Sequence, residues 1–436
     1  MNLTPEQQAL GRRNFLRVLA GTPAIAALGA AAAAKGPVPG GPVRIGFIGV
    51  GTQGRALLDS VSPTHGDVRA LCDINPTSLK LADQVLAEKK LPPARHYAEW
   101  KEMLEKEDIE AVITAVPLWA HADVTVGCLD AGKHVLCEKM MAWDVESCER
   151  MRDAARRSGK VLEIGYQRNY NPVYRSAYDG IIRAGVLGEV YYARLAWHRN
   201  ASWRRKAEPP SPDYDPSRWG YPTFDHLINW RLYAKYSRGL MAELGSHQIN
   251  AANWFFGAEP QNVVAVGGIY RFKDREVPDH VYTTFEYPGG RTATFTSIES
   301  NAFDENYEMF MGTKGTLILL REREALLFEE GAAARATGVE VASRGGAPTV
   351  QSSETVTGTT ADTSAAAPSA PQGAAARDTS SAPAQRRVPT RRQIEGFCAA
   401  IRVRTPVACG PDKAMGSARA CIHAHELMAK SKVQTT

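Results

Sequence analysis

The sequence predicts an α/β chain: a parallel sheet flanked by helices, then an α+β domain with an open, mostly antiparallel sheet. Three observations carry that prediction. An apolar run, Val43 to Ile48, leads through spaced glycines into a helix start. Strand-type apolar runs then alternate with helical patterns as far as residue 165, which is the mark of βαβ units. Beyond Pro260 the period drops to two, with Gly-containing turns between some of the short runs, as antiparallel strands require. The chain has 436 residues, enough for two or three domains whose cores need no staples. Apolar residues are 44% and charged residues 23%, which excludes a multi-span membrane protein, a collagen-like chain or wholesale disorder.

The formal net charge is +5. Residues 1–35 hold Arg12, Arg13, Arg17 and Lys35 against Glu6, so +3 sits at the front and +2 is left for the rest. That balance gives no electrostatic case for nucleic acid. The same segment has a charged start around Arg12-Arg13-Asn14-Phe15-Leu16, an Ala-rich run from Val18 to Ala34 and a small-residue exit. This is the layout of an export signal, too short and too mildly apolar to span a bilayer. The paired arginines resemble a twin-arginine address, with an uncleaved anchor or a tail as the alternative. The seven cysteines are odd in number and scattered without CxxC, so buried free thiols are expected and no metal site is. Folding in a reducing cytosol before export suits that pattern.

The first βα turn reads Gly49-Val50-Gly51-Thr52-Gln53-Gly54, with the strand before it and the helix after it that a dinucleotide-binding Rossmann loop needs. Gly49 permits the tight turn, Gly51 lets backbone approach a pyrophosphate, and Gly54 permits close helix–strand packing. The helix N-terminus offers free N–H groups to the phosphates. A second strand, Val68 to Cys72, ends at Asp73, whose carboxylate suits ribose hydroxyls. Ile74 follows and offers nothing to a 2′-phosphate, which favours NAD over NADP. Further along come a helical pattern at 97–106, a strand at 111–116 stopped by Pro117, and a helix at 121–131. A strand at 134–137, a helix at 144–157 and a strand at 161–165 complete the series. Pro117, Glu138 and Lys139 fall at carboxyl ends of strands, where such sheets bind ligands.

The segment TAVPLWAHADVTVGCLDAGKHVLCEKMMA, residues 114–142, resembles the glucose–fructose oxidoreductase/inositol dehydrogenase/MocA (Gfo/Idh/MocA) family. The family's EKP element is present as Glu138-Lys139-Met140. The resemblance implies that Lys139 sits between nicotinamide and a substrate hydroxyl. Met140 replaces a proline that is often a cis site, and cis is costly before any other residue.

The second half opens with Gly165-Tyr166-Gln167-Arg168-Asn169, then a helix at 173–184 and a strand at 190–197. Residues 198–238 are rich in Arg, Trp, Tyr and Pro with little periodicity. They suit a sugar ligand by stacking and forked hydrogen bonds, or form an ordered surface loop or a dimer contact. Glu243 and His247 are four apart and share a helix face, which would let the carboxylate orient the imidazole as a general base. Taken alone such a pair is more often a surface pair. The resemblance makes His247 the catalytic histidine of the family's D-x-x-x-H pattern, with Glu243 in place of Asp and Asn250 where many members have another Asp.

The domain plan is therefore a signal at 1–35, an NAD-binding domain at 42–165 and a substrate and oligomerisation domain at 166–330. Closing helices at 390–432 pack back on the first domain. Residues 331–388 are dominated by Ala, Ser, Thr, Gly and Pro and are expected to be a disordered insertion, with an Ala-rich helix as the alternative. The candidate cofactor residues are Gly49, Gly51, Thr52, Gln53, Gly54, Asp73, Val116, Pro117, His121, Glu138, Lys139 and Gln167. The candidate substrate residues are Tyr166, Arg168, Trp230, Arg231 and His247, and the catalytic set is Lys139, His247 and Glu243. The expectation is an exported, periplasmic oxidoreductase acting on a sugar, glycoside or polyol with a held, recycled NAD. It would be a homodimer or homotetramer, and its partner in export would be the twin-arginine machinery. A glycosidase working by transient C3 oxidation and elimination is the alternative. A non-catalytic sugar-binding protein on the same fold is the third reading, and the presence of both Lys139 and His247 argues against it.

Overall fold

The structure, a computed structural model, describes residues 3–20, 40–330, 339–344, 347–352 and 387–431. The first sheet has six parallel strands in the order β3-β2-β1-β4-β5-β6. They are β1 (Val43–Ile48), β2 (Gly66–Cys72), β3 (Arg95–Tyr97), β4 (Ala111–Thr114), β5 (His134–Cys137) and β6 (Leu162–Ile164). The order reverses between β1 and β4, which opens a crevice at their carboxyl ends. Strands β1, β4, β5 and β6 are short, mostly apolar runs because both faces are covered, whereas the edge strand β3 is polar and largely exposed. The helices between them start where the local chemistry allows. Asn75 caps α3 (Pro76–Glu88), and Asp144 caps α6 (Val145–Ser158), which Gly159 closes at φ 64°. The remaining crossover helices are α2 (Thr52–Ser60), α4 (Trp100–Lys106) and α5 (His121–Asp130). Tyr97 is not in a helix as expected. It pairs with Cys72 in the sheet, and the helix begins at Trp100.

The second sheet has seven strands in the order β13-β12-β11-β7-β10-β9-β8. They are β7 (Val190–Asn200), β8 (Asn262–Gly268), β9 (His280–Tyr287), β10 (Arg291–Ile298), β11 (Ser300–Gly312), β12 (Gly315–Leu320) and β13 (Glu324–Glu329). It is mostly antiparallel, but β7 and β10 run parallel at its centre. Before it, α7 (Pro172–Ala177) runs directly into a π turn at Tyr178–Ile182, so the helix expected over 173–184 is present to Ile182 but widens in its second half. The inner face is covered by α9 (Ser246–Phe256), whose Phe255 and Phe256 stack against Phe310 and Tyr287. A short α8 (Phe224–Ile228) lies in the aromatic-rich connection.

At the start of the chain, α1 (Pro5–Ala20) lies on β13. Phe15 and Leu19 are buried, and Arg12 and Arg17 pair with Glu324 and Glu329. Gly11 is required here, since a Cβ would sit 2.8 Å from that of Leu326. The rest of the expected address segment, 21–35, lies outside the described residues. So does most of the insertion, but within it β14 (Val339–Arg344) and β15 (Ala347–Ser352) form an antiparallel pair where disorder was expected. At the C-terminus, α10 (Val388–Val403) buries Ile394, Phe397 and Cys398 beside Leu57 and Leu136 of the first domain. α11 (Pro411–Ser431) packs between α6, α9 and β8, so it ties both domains together. All seven cysteines are buried and unpaired. No helix among the described residues is long and apolar enough to cross a membrane.

Candidate active site

The glycine loop fits a dinucleotide on steric grounds. Gly49 has φ 83°, and a Cβ there would lie 2.7 Å from the Ala115 carbonyl oxygen. A Cβ on Gly54 would lie 2.0 Å from the Gly49 oxygen, so α2 packs against the loop only without one. Gly51 has nothing within 4 Å of its would-be Cβ, which leaves open space where a pyrophosphate would approach. Among the described residues no side chain caps α2, so the N–H groups of its first turn, before Arg55, are open to phosphate oxygens. Asp73 braces the loop, its Oδ2 accepting from Val50 N and its Oδ1 from Asn75 N, each at 2.8 Å. Burial pushes its pKa up to about 6 against those two bonds and nearby Arg55. The sequence reading missed Arg55, which donates to the Val50 carbonyl at 3.0 Å.

Beyond the loop a polar cavity of about 200 Å³ lies between the domains. From the first domain Gln53, Ala115, Val116, His121, Glu138 and Lys139 line it; from the second come Gln167, Trp230, Arg231, Glu243 and His247. Ala115 is the one lining residue not anticipated. Pro117 is half-buried and opens the turn at 118–120. His121 is buried, with its ring nitrogens 2.9 Å from the Met140 carbonyl and 3.0 Å from that of Val116, so it braces the two loops that carry the site. The Lys139–Met140 peptide is cis despite the missing proline. Glu138 accepts from Gln53 Nε2 at 2.8 Å, which links the EKM element to the glycine loop.

Lys139 Nζ donates to the carbonyls of Glu243 at 2.8 Å and Ala242 at 3.4 Å. An ammonium has three donors, so one is left for a ligand. Burial pulls the Lys139 pKa down, and the Glu243 and Glu138 charges offset only part of that. Glu243 itself accepts from Arg231 Nε at 2.8 Å. Burial would raise its pKa, but Arg231 and Lys139 hold it below the usual range. Arg231 is stacked over Trp230, its guanidinium carbon 4.2 Å from the ring centre. His247 is buried between the rings of Tyr166 and Trp197, and among the described residues its Nδ1 has no hydrogen-bond partner. Burial first, then Lys139 and Arg168, hold its pKa well below the ordinary value, so the ring is neutral.

Three expectations are corrected by this geometry. Glu243 does not orient His247. Residues Met241–Gly245 form a π turn, wider than an α turn, and Arg231 claims the carboxylate. Arg168 is no cavity residue: it is 2% exposed and bonds Glu308 at 2.5 Å and Glu322 at 2.8 Å. Tyr166 is also behind the wall, packing edge-on against His247 and accepting from Ser417. Among the described residues no cluster of His, Cys, Asp or Glu could hold a metal ion.

A glycine loop at the carboxyl end of a parallel sheet, opening on a polar cavity shared with a second domain, defines a two-domain dinucleotide-dependent protein. Residues 43–166 match the family model described as an oxidoreductase family with an NAD-binding Rossmann fold. Residues 177–318 match the GFO/IDH/MocA C-terminal domain. The chain belongs to the Gfo/Idh/MocA family, and a nicotinamide dinucleotide is the cofactor class of its first domain.

A curated relative, a glycosyl hydrolase family 109 protein of Shewanella pealeana, is 27% identical over 256 residues, 57% of this chain and 54% of that protein. The chain thus spans about half the length of the curated relatives it matches. The solved aldose-aldose oxidoreductase of Caulobacter crescentus, complexed with glycerol, has a TM-score of 0.61 at 20% identity, over 89% of this chain and 98% of that one. Levoglucosan dehydrogenase in complex with NADH and levoglucosan has a TM-score of 0.63 at 19% identity, over 89% and 98%. At such identities the likeness is one of fold.

Proposed function

We propose that this protein is an NAD-dependent oxidoreductase that acts on a hydroxyl of a sugar, glycoside or polyol. The observation that carries the reading is one cavity lined by a glycine-loop residue, Gln53, together with Lys139 and the neutral, buried His247. Gly49, Gly51, Gly54 and the start of α2 would hold the pyrophosphate, and Asp73 the adenosine ribose. Asp73 favours NAD, because its carboxylate would repel a 2′-phosphate. When bound, the nicotinamide supplies the hydride acceptor. His247 takes the proton of the reacting hydroxyl. Lys139 gives its remaining N–H to the same oxygen and stabilises the charge that develops there. Glu243 supports Lys139 as an ammonium and fixes Arg231 on the cavity wall.

The twin-arginine pattern of Arg12 and Arg13 supports an exported protein, and free NAD is scarce outside the cytosol. The proposal therefore includes a retained, recycled cofactor: protein purified from the periplasm and denatured should release NAD(H). Exposed Val264, Val266 and Tyr282 on the outer face of the second sheet support assembly as a homodimer or homotetramer. Sedimentation at micromolar concentration tests that.

The glycosyl hydrolase relative favours a second reading, cleavage by transient oxidation at C3 and elimination. Aryl glycosides separate the two. A keto product supports net oxidation, whereas free aglycone without net NADH supports cleavage. Unchanged turnover in both Lys139→Ala and His247→Ala would sink either catalytic reading.

A further inference from the structure

The segment from Arg204 to Tyr221 belongs to the second domain yet crosses to the first and touches three of its loops. Its root is fixed. Arg204 bonds both Asp225 carboxylate oxygens, at 2.8 and 2.9 Å. Buried Asn229 accepts from Arg205 N at 2.7 Å and donates to the Arg205 carbonyl at 3.0 Å. From that anchored backbone the Arg205 side chain reaches out, and its Nη1 donates to Thr52 Oγ1 at 3.2 Å. Thr52 is the first residue of α2, directly after Gly51 of the glycine loop. Further along, Tyr214 Oη donates to the carbonyl of Ile74, next to Asp73, at 2.9 Å. Tyr221 Oη accepts from Trp119 Nε1 at 2.9 Å.

The three contacts fall on the loops after β1, β2 and β4. Those are the loops across which a dinucleotide lies in a sheet of this order. Arg205 makes no contact ion pair among the described residues; partial burial and the like charges of Arg231 and Arg55 lower its pKa, only partly offset by Glu243, so an anion here would find an undercompensated cation. A guanidinium bonded at the uncapped start of α2, next to a glycine with open space, is matched to a pyrophosphate. Tyr214 stands at the adenosine end, and the charge of Asp73 adds to burial in raising its pKa to about 12.

We propose that Arg205 and Tyr214 are dinucleotide-holding residues supplied by the second domain, Arg205 on the pyrophosphate and Tyr214 over the adenosine ribose. The segment is then a clasp that keeps the cofactor from leaving. This rests on the reading that the glycine loop holds NAD. The test uses binding alone, on the full chain stripped of cofactor, with ADP-ribose and adenosine as probes and NADH release followed by fluorescence. Arg205→Ala should weaken ADP-ribose by roughly 10–100-fold, the range for a lost charged hydrogen bond, and leave adenosine unchanged. Arg205→Lys should restore part of the loss. Tyr214→Ala should weaken both probes, and each alanine variant should speed NADH release. Arg205 is exposed, so the variant chains should fold, as checked by the ligand-free melting temperature. ADP-ribose binding by Arg205→Ala equal to wild type overturns the clasp, and so does an equal loss for both probes. Wild-type protein that binds ADP-ribose but turns over no sugar overturns the oxidoreductase reading and not the clasp. Wild-type protein that binds no dinucleotide overturns both.

Discussion

Lys139 donates to the main-chain oxygen of Glu243 at 2.8 Å, while the Glu243 carboxylate stands 4.0 Å from the same ammonium and is bonded by Arg231. One residue thus fixes the position of Lys139 through its backbone and its charge through its side chain. Glu243→Gln keeps the first and removes the second. The burial that lowers the Lys139 pKa would then go less opposed, and the pKa would fall further. The alkaline limb of the kcat/KM profile should move down by roughly one pH unit, with a lower maximum. An unmoved limb would show that Glu243 does not set the charge of Lys139.

His247 should set the acid limb. Its folded pKa lies below the ordinary value, so the neutral base persists below about pH 6.5 and activity is lost only as pH falls through the lower folded value. An acid limb centred at or above that point contradicts the assignment. His247→Ala should lower kcat by roughly 10²–10⁴-fold, the usual worth of a positioned acid–base group.

Arg168 makes the opposite case. Its guanidinium is sealed against Glu308, which also accepts from Tyr174 at 2.6 Å. Arg168→Met strands a buried carboxylate, a change worth about 3–5 kcal/mol of stability. The melting temperature should drop while the substrate KM of the surviving folded protein stays put. Because Arg168 also depresses the His247 pKa, the acid limb should shift upward. A raised KM with unchanged stability would restore Arg168 to the substrate set.

Those contrasts show what the sequence holds and what it hides. Five of the six strands of the first sheet were legible because buried parallel strands are apolar runs, and Gly49, Gly51 and Gly54 each answer a steric need. The edge strand β3, Arg95-His96-Tyr97 and exposed, carries no such run and was missed. Lys139 and His247 were found through a local pattern and the family it resembles. Arg168 was misplaced because its neighbours in sequence do not say which way a long side chain points; its partners lie 140 and 154 positions away. The Glu243–His247 pairing failed because a single π turn changes which residues share a face, and composition does not announce that turn. Arg205 and Tyr214 were hidden in a segment without periodicity, where only the folded chain shows what each residue reaches.

Glu163 on β6 is a buried carboxyl which, among the described residues, has no cation beside it, only Tyr170 and Gln393. Burial raises its pKa to about 8 against those two groups. A raised folded pKa means the stability is fully present below the unfolded value near 4.5 and is lost as pH rises through the folded one. Glu163→Gln removes that titration. Its stability should match wild type near pH 4 and exceed it by up to about 5 kcal/mol above pH 8. Parallel melting curves for the two proteins across that range would refute the assignment.

Gly51 separates ligand space from fold. Its backbone has φ −60°, open to any residue, and nothing lies within 4 Å of a would-be Cβ. Gly51→Val should therefore fold with the melting temperature of the ligand-free wild type. The added methyls would occupy the space the pyrophosphate needs, so binding should fail. Wild type at a hundredfold excess of NAD over Kd gains about 2.7 kcal/mol of stability by linkage, and the variant should gain none. Gly54→Ala should behave differently, because its Cβ would overlap the Gly49 oxygen and disturb the loop with or without ligand. If Gly51→Val is stabilised by NAD as strongly as wild type, the pyrophosphate does not lie on this loop, and both the active-site reading and the clasp built on it fall together.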